Sequence, residues 1–561
     1  MSLTPRPADF RDEPSLSLKL TLGVALALGA LLRFWHLDAQ VLTGDELHVV
    51  KVALAWPLDE IVSTWTYHGA DYGVPLALLY RIALDVGLRL GELELRGPIL
   101  AASLLSIVLM PWLLRGKLSD TGAAIFALAI ATSPLLVLYG RLVRSYAPAV
   151  LFAFVAIVCF DRWRRSRSLS SAAGYCTGAS LAIWFNLTSA PLVAAPMVFE
   201  LGRLALQRSR NWREWRSVLA LGACALTAVA LPMLPARDSL FALGEIHGGG
   251  GLPSFATWLE VVRMHAGTRS PWLAVVVVGA AARGAWLMAQ GSEENRKWLG
   301  LIAFAFAFHI AGLIVLSPDQ LDNPIVINRY LLVLLPFGLS LVAAGLAAPL
   351  PRIPGRAHYT GLLLLAVALF ATGPLRPTEL GTTSFANAPT YTYFVRAGNT
   401  VPRPRLPVFY AELAQASDRG ETQPIIEYPW FNLATHAFDA YQKHHHQTLQ
   451  VAALAQSMHD DRLALTNMVQ PRAANYLASN ARWLVVHLDL QNEERRVDTS
   501  DRNHWMRLEM RPAIWDPLLL AGPAAAQTLE QRWGPADFAS DGLRVWDLER
   551  IRQHSSKRRE R

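Results

Sequence analysis

With 561 residues, 52% of them hydrophobic and 17% charged, the chain carries clearly fewer charges than the ~25% of an ordinary soluble domain. The deficit lies between Leu18 and Pro374, which excludes a wholly soluble protein. A net charge of +8 does not point to nucleic acid, because the Lys and Arg sit mostly in short loops between apolar runs and at the termini, where the positive-inside rule places them.

In chain order, membrane-spanning helices are predicted near 18–34, 75–95, 97–114, 121–139, 146–161, 172–205, 217–235, 272–290, 298–316, 329–349 and 357–374, about eleven spans at roughly 20 apolar residues each. The first run lacks a small-residue cleavage site and reads as a retained anchor. Segment 172–205 is interrupted by Pro191 and Pro196, so it fits one tilted span or two short ones. Arg6 and Arg11, and the clusters Arg162 to Arg167, Arg203 to Arg216 and Arg283 to Lys297, mark the cytoplasmic side. An odd number of spans then puts the C-terminal domain outside. A conflict remains in this scheme: if 35–72 and Gly140 to Tyr146 share a side, the three apolar segments between them cannot all cross.

Two hydrophilic insertions stand out, external loops 35–72 and 236–271. The first contains an amphipathic stretch from Glu46 to Trp56, followed by Trp65 and Tyr67, as suits an interfacial helix with aromatic anchors. The second carries Gly248 to Gly251 and a predicted amphipathic helix after Trp258. Loops of this length are more often functional than idle. Cys159, Cys176 and Cys224 all fall in apolar runs and offer no disulfide or zinc framework.

The expected fold class is an all-α polytopic membrane domain over 1–374 with a soluble α/β or α+β domain over 375–561. In the latter, Tyr410 to Ser417 reads as a helix, and Pro424 to Tyr428, Ala481 to Leu488 and Leu543 to Leu548 read as strands. Lys557 to Arg561 reads as a solvated, disordered tail.

The sharpest chemical feature is Gly44-Asp45-Glu46, just past the first span. Paired acids beside a membrane face supply a general base or a cation ligand. Thr43 as a cap, with acids in the first helical turn, accounts for the same residues structurally. Arg141 and Arg144, three apart, share a helical face and can clamp a phosphate; snorkelling to headgroups fits them as well. Arg263, His265 and Arg269 can meet a pyrophosphate or lipid phosphate, or form a solvated helix face. His247 is an ordinary loop histidine. His444 to His446 lack an acid or Cys partner at ligand spacing, so no metal site is expected. The sequon Asn186-Leu187-Thr188 lies in an apolar run and is irrelevant.

Three stretches carry a family resemblance: "RFWHLDAQVLTGDELHVVKVA" followed by "YHGADYGVPLALLYRI", then "ATSPLLVLYGRLVRSYAPAVLFAF", and "INRYLLVLLPFGLSLVAAGL". Their order resembles the GT-C superfamily of membrane glycosyltransferases, and most of all glycosyltransferase family 39, which includes protein mannosyltransferases and the aminoarabinose transferase of lipid A. The match keeps the Asp-Glu pair, His68, Pro75-Leu76, Ser133-Pro134, Tyr139, Arg141, Arg144, Tyr146, Arg329 and Tyr330. It lacks the usual double proline, and Gly140 and Leu142 stand where the family commonly has Ser and Glu. The resemblance implies transfer of a sugar from a polyprenyl-phosphate donor to a protein, lipid or glycan acceptor, with inversion; composition and the lack of an organelle signal favour a bacterial inner membrane. It implies Asp45 and Glu46 as catalytic residues, and Arg141, Arg144, Tyr146, Arg329, Tyr330 and His68 as substrate-binding residues, to which the second loop adds Arg263, His265 and Arg269 by their charge and placement. No obligatory metal cofactor is expected, since arginines can neutralise a single lipid phosphate; a divalent ion stays open. A transporter or a non-catalytic subunit of an envelope polysaccharide machine is the alternative, against which no inverted repeat is found.

Overall fold

The computed structural model describes residues 15–35, 37, 45–67, 70–88, 90, 92–207, 211–246, 252–268, 270–316, 321–350, 354–373, 375, 406–429, 441, 445, 447, 477, 480–489 and 512–559. The chain divides into two compact units, residues 1–38 with 45–380, and residues 39–44 with 381–561.

The first unit is helical. In chain order it comprises α1 (Leu16–Phe34), α2 (Asp45–Ala55), α3 (Leu58–Ser63), a small hairpin of β1 (Thr66–Tyr67) and β2 (Ala70–Asp71), α4 (Val74–Asp85), α5 (Glu92–Leu113), α6 (Asp120–Thr132) and α7 (Pro134–Tyr139). Then follow α8 (Tyr146–Ser166), α9 (Leu169–Phe185), α10 (Ala190–Leu206), α11 (Trp212–Met233), α12 (Arg237–Ile246) and α13 (Phe255–Ala266). The series closes with α14 (Pro271–Gln290), α15 (Glu293–Leu316), α16 (Pro324–Leu331), α17 (Leu335–Ala347) and α18 (Gly355–Thr372). Among the described residues nine helices are long and apolar enough to cross a membrane, taking α16 and α17 as one; α6 is a shorter apolar helix. The protein is a multi-pass integral membrane protein.

Local sequence explains the ends of these helices. Ser15, Ser119, Ser168, Ser254 and Ser270 each accept a backbone N–H in the first turn of the helix they start, the usual service of an N-cap. Pro134 ends α6, because its ring nitrogen cannot continue the hydrogen-bond ladder, and it opens α7 instead. The segment expected at 172–205 is a pair of helices: α9 stops at Phe185, Asn186 caps a 3₁₀ turn at Leu187–Ser189, and Pro191 lies in the first turn of α10. Pro196 is absorbed inside α10.

Close helix packing rests on small residues, as is usual in membranes. A Cβ on Gly284 of α14 would fall 1.9 Å from the Leu341 carbonyl oxygen, and one on Gly345 of α17 would fall 1.9 Å from that of Ala280. The backbones of α14 and α17 therefore touch where those glycines face. Arg283 fastens the same pair by donating to the Ala348 and Pro349 carbonyls at 2.7 and 2.9 Å.

Polar contacts sort the connections into two ends of the helical unit. At one end, Lys117 pairs with Asp161 at 3.2 Å, Arg165 with Glu294 at 3.6 Å and Arg167 with Glu200 at 3.9 Å. At the other, Glu46 meets Val143, Trp65 N–H donates to Ser239 Oγ, Ser254 N–H donates to Asp322, and the Thr268 and Thr372 hydroxyls lie 2.9 Å apart.

This arrangement removes the topological conflict. The expected span at 75–95 does not cross. Its helix, α4, has 12 residues, about 18 Å at 1.5 Å per residue, against a ~30 Å hydrocarbon core. Gly73, just before α4, lies against Ser145. The Tyr80 hydroxyl of α4 donates to the Leu95 carbonyl, and Arg96 donates to Arg141 O, so α5 begins at the end where α4 began. The link at 86–91 reaches at most about 22 Å and could not return from the far face. The described residues 45–67, α4 and the Gly140 to Tyr146 stretch thus share one end.

The second unit contains α19 (Val408–Asp418), β3 (Ile425–Tyr428), β4 (Trp483–His487), α20 (Pro512–Trp533), β5 (Phe538–Ser540), β6 (Leu543–Asp547) and α21 (Leu548–Arg559). The sheet order is β3-β4-β6-β5, with β3 and β4 parallel and the other pairs antiparallel. Alternate residues Ile426, Tyr428, Leu484, Val486 and Trp546 build an apolar core with Ala521, Ala525 and Leu529 of α20, the period-two burial expected of strands. On the other residue parity, Glu427 accepts from His487 Nε2 at 2.6 Å and from the Tyr410 hydroxyl at 2.9 Å, and all three are buried. The expected disorder of the tail is corrected in part: α21 runs through Arg559, so Lys557 to Arg559 are helical.

In a variant whose three native cysteines are replaced by alanine, single cysteines at Ser63 and Leu88 should react with an impermeant maleimide from the same side of sealed vesicles. One at Ser292 should react from the opposite side. Reaction of Leu88→Cys together with Ser292→Cys would show that α4 crosses.

Candidate functional site

The end of the unit that gathers loop 35–72 is organised around the six residues joining α7 to α8. Gly140 to Ser145 run without regular structure among apolar helices, so their backbone groups need partners that water cannot supply. Charged side chains from two helices provide two of them.

Glu46, in the first turn of α2, accepts the Val143 N–H at 2.7 Å. Arg96, in α5, donates through Nε to the Arg141 carbonyl at 3.1 Å, and its Nη2 lies 4.0 Å from Glu46. The Arg141 side chain donates to the Leu32 and Trp35 carbonyls at 3.2 and 2.7 Å, closing the C-terminal end of α1, where a cation also meets the negative end of the helix dipole. Burial, and then the Arg96 charge, push the Arg141 pKa down to about 10.

Arg33 performs a related task one layer deeper. It donates to Ser103 Oγ at 2.7 Å and to the carbonyls of Gly29, Ala131 and Ile130 at 3.1, 3.0 and 3.4 Å. Ile130 is the residue four before Pro134, whose missing N–H leaves that carbonyl unfilled. Arg33 borders a cavity that also exposes Ser103, Ser106 and Tyr139.

Arg144 follows the clamped Val143 directly, is half-buried, and stands 5.8 Å above the Tyr146 ring. Tyr146 meets Tyr139 edge to face at 4.9 Å. Asp45 is the first residue of α2; its backbone is described and its side chain is not. His68 and Arg269 lie outside the described residues, as do His247, His444 and His446.

The second group of expected residues occupies α13 and α16. His265 and Arg263 lie in the last turn of α13, where Arg263 pairs with Glu260. Gly267, which ends α13, packs against Pro134 at the start of α7. Asn328 of α16 donates to the Pro324 carbonyl and is fully buried. Arg329 and Tyr330 are the next two residues, and the Tyr330 carbonyl pairs with His309 of α15 at 3.0 Å. The His265 ring adjoins and pairs with the Asn328 side chain; beyond each other, neither His265 Nε2 nor Asn328 Oδ1 has a hydrogen-bond partner among the described residues. Thus Glu46 is bonded to the segment that carries Arg141 and Arg144, Arg144 meets Tyr146, and α13, which packs on α7, brings its residues and those of α16 to the same end.

Among the described residues no group of three His, Cys, Asp or Glu could hold a metal ion. Arg33, Arg96, Ser103 and Tyr139 were not among the expected site residues. Arg33 and Arg96 do carry a sequence signal, a cation placed at the edge of a long apolar run at a cost of roughly 2.5–3.5 kcal/mol when mid-membrane, but their partners are remote in the chain.

Burial lowers the His265 pKa from 6.5 to about 4. Between these values the unfolded chain takes up a proton that the folded one refuses, so the contribution of this residue is present above pH 6.5 and is lost as pH falls towards 4. Replacing His265 by Gln should flatten the loss of thermal stability between pH 6.5 and 4 in detergent; an unchanged slope would show that the ring is hydrated.

No protein-family model matches the chain, and no curated protein sequence matches it. Solved structures do. The chain is similar to ArnT from Cupriavidus metallidurans bound to undecaprenyl phosphate, with TM-score 0.52 and 15% identity over 84% of this chain and 92% of that one. The apo state of the same protein gives TM-score 0.50 and 14% identity over 84% and 93%. An oligosaccharyltransferase from Archaeoglobus fulgidus gives 0.41 and 12% over 83% and 67%. At these identities it is the fold that is shared: the protein has the fold of ArnT.

Proposed function

We propose that this protein is a glycosyltransferase that moves a sugar from a polyprenyl-phosphate carrier to an acceptor hydroxyl of a protein, lipid or glycan. The observation that carries the reading is the fastening of α2, which begins with Asp45, to the segment bearing Arg144 and Tyr146, in a fold similar to that of a protein bound to undecaprenyl phosphate.

In this reading Asp45 takes the proton from the acceptor hydroxyl as its oxygen attacks the anomeric carbon. The bond from that carbon to the phosphate oxygen breaks with inversion, and the electron pair leaves on the lipid phosphate. Charge on the leaving phosphate grows in the transition state, so cations already in place lower the barrier. Arg144 and Arg329 are the cations assigned to it. Arg141 contributes at longer range, since both ends of its guanidinium are engaged with carbonyls. Tyr146 and Tyr330 wall the sugar. His265 and Asn328 supply polar groups that sugar hydroxyls can also meet. His68, Arg263 and Arg269 complete the donor-binding set. The scheme uses arginine charge where other transferases use a divalent ion.

The opposite end of the helical unit carries the clusters Arg162 to Arg167 and Arg203 to Arg216, so it is assigned to the cytoplasm. The site and the C-terminal domain then face outwards, in a bacterial inner membrane.

Purified protein offered labelled polyprenyl-phosphate sugars with extracted envelope lipids and glycans should release carrier phosphate, and a chelator should leave the rate unchanged. Asp45→Asn should lower turnover by about 10²-fold or more, the scale of a lost general base. Equal turnover by Asp45→Asn would remove Asp45 from the mechanism, and a rate abolished by chelator would call for a metal.

A further inference from the structure

We infer that Glu46 and Arg96 are positioning residues that set the separation between the base and the phosphate-binding cation, acting through the backbone of the 140–145 segment. The inference rests on the transferase reading above. Glu46 adjoins Asp45 in the chain, and Val143 adjoins Arg144. One hydrogen bond, from Val143 N–H to Glu46 Oε1 at 2.7 Å, therefore ties the two residues next to the reacting groups.

A single bond leaves a hinge. Two residues earlier, Arg96 Nε holds the Arg141 carbonyl at 3.1 Å, and the Arg141 side chain holds the end of α1. The segment is thus held at its backbone from α2 and from α5, and at its side chain from α1. Glu46, Arg96 and Val143 are at most 2% exposed, so their groups face protein rather than substrate. The 4.0 Å approach of Arg96 Nη2 to Glu46 gives each charge an opposite neighbour, which buried charges need.

Atomic geometry supplies a discriminating variant. The Nε2 of a glutamine stands at the same bond position as the Nε of an arginine, and its Oε1 at that of a glutamate. In the double variant Glu46→Gln/Arg96→Gln both backbone hydrogen bonds can persist while both charges are removed together. A residue acting by proton transfer, or by charge on a phosphate, could not be replaced in this way.

The test compares Glu46→Ala, Arg96→Ala and the double glutamine variant with wild type. It reads transfer kinetics, binding of undecaprenyl phosphate, thermal stability in detergent, and amide hydrogen exchange of the 140–146 segment. Each alanine variant should lose about tenfold or more in kcat/KM, the scale of one buried hydrogen bond left unmade, with faster exchange in 140–146. The double glutamine variant should recover most of that loss and the slow exchange. A double variant as inactive as the alanine variants would overturn the inference and place Glu46 or Arg96 in the chemistry. Alanine variants that melt earlier, yet keep kcat/KM per folded molecule, would overturn it in favour of a purely structural role. If wild type neither transfers sugar nor binds the carrier, the transferase reading fails instead. Exchange in 140–146 then still decides the clamp: wild-type protection in Glu46→Ala refutes it.

Discussion

A backbone carbonyl that loses its helical partner inside an apolar environment has no water to turn to, and this chain loses such partners in two places close together. One is the C-terminal end of α1; the other is the break that Pro134 makes between α6 and α7. Arg141 closes the first and Arg33 the second. A guanidinium suits both places because its five donors spread in a plane and can reach several carbonyls at once. Once those two side chains are committed, the end of α1, the start of α7 and the irregular segment before α8 can no longer shift independently. Much of the geometry at this end of the helical unit follows from that commitment.

The same commitment has an electrostatic result. Arg33, Arg96 and Arg141 are buried among the described side chains here with Glu46 as their near carboxylate. A region so built holds a positive potential in a low dielectric, which suits a substrate whose leaving group is a phosphate. Carbonyl dipoles bear part of the cost, so the cations do not each need a carboxylate.

The C-terminal unit solves a different problem. Its four-stranded sheet joins a parallel pair to an antiparallel pair, and α20 covers the apolar parity of the strands. The polar parity is satisfied internally by Tyr410, Glu427 and His487, so that a buried carboxylate is matched by two donors. Such a fully engaged cluster favours one arrangement of α19 on the sheet, since any shift would leave the carboxylate unpaired.

Composition and hydrophobic run length by themselves determined that the chain spans a membrane, where most of its long helices lie, and that a soluble unit of helices and strands follows. They also located the helix that begins at Asp45, because period and capping are local properties. The motif around Arg141, Arg144 and Tyr146 was legible as a pattern of residues. What those residues touch was not. Tertiary structure decided that α4 turns back rather than crosses, since apolar content alone does not distinguish a short helix packed on protein from a full span. It split 172–205 into α9 and α10, where two prolines allowed either outcome. It assigned Arg141 to carbonyls of α1 and Glu46 to the amide of Val143, and it recruited Arg33 and Arg96, which no motif had marked. Those choices depend on which unfilled carbonyl or amide arrives within hydrogen-bond reach. That is fixed only when helices some 50 to 100 residues apart in sequence pack together, as Glu46 and Val143 do across 97 positions, because a hydrogen bond acts over ångströms and not along the chain.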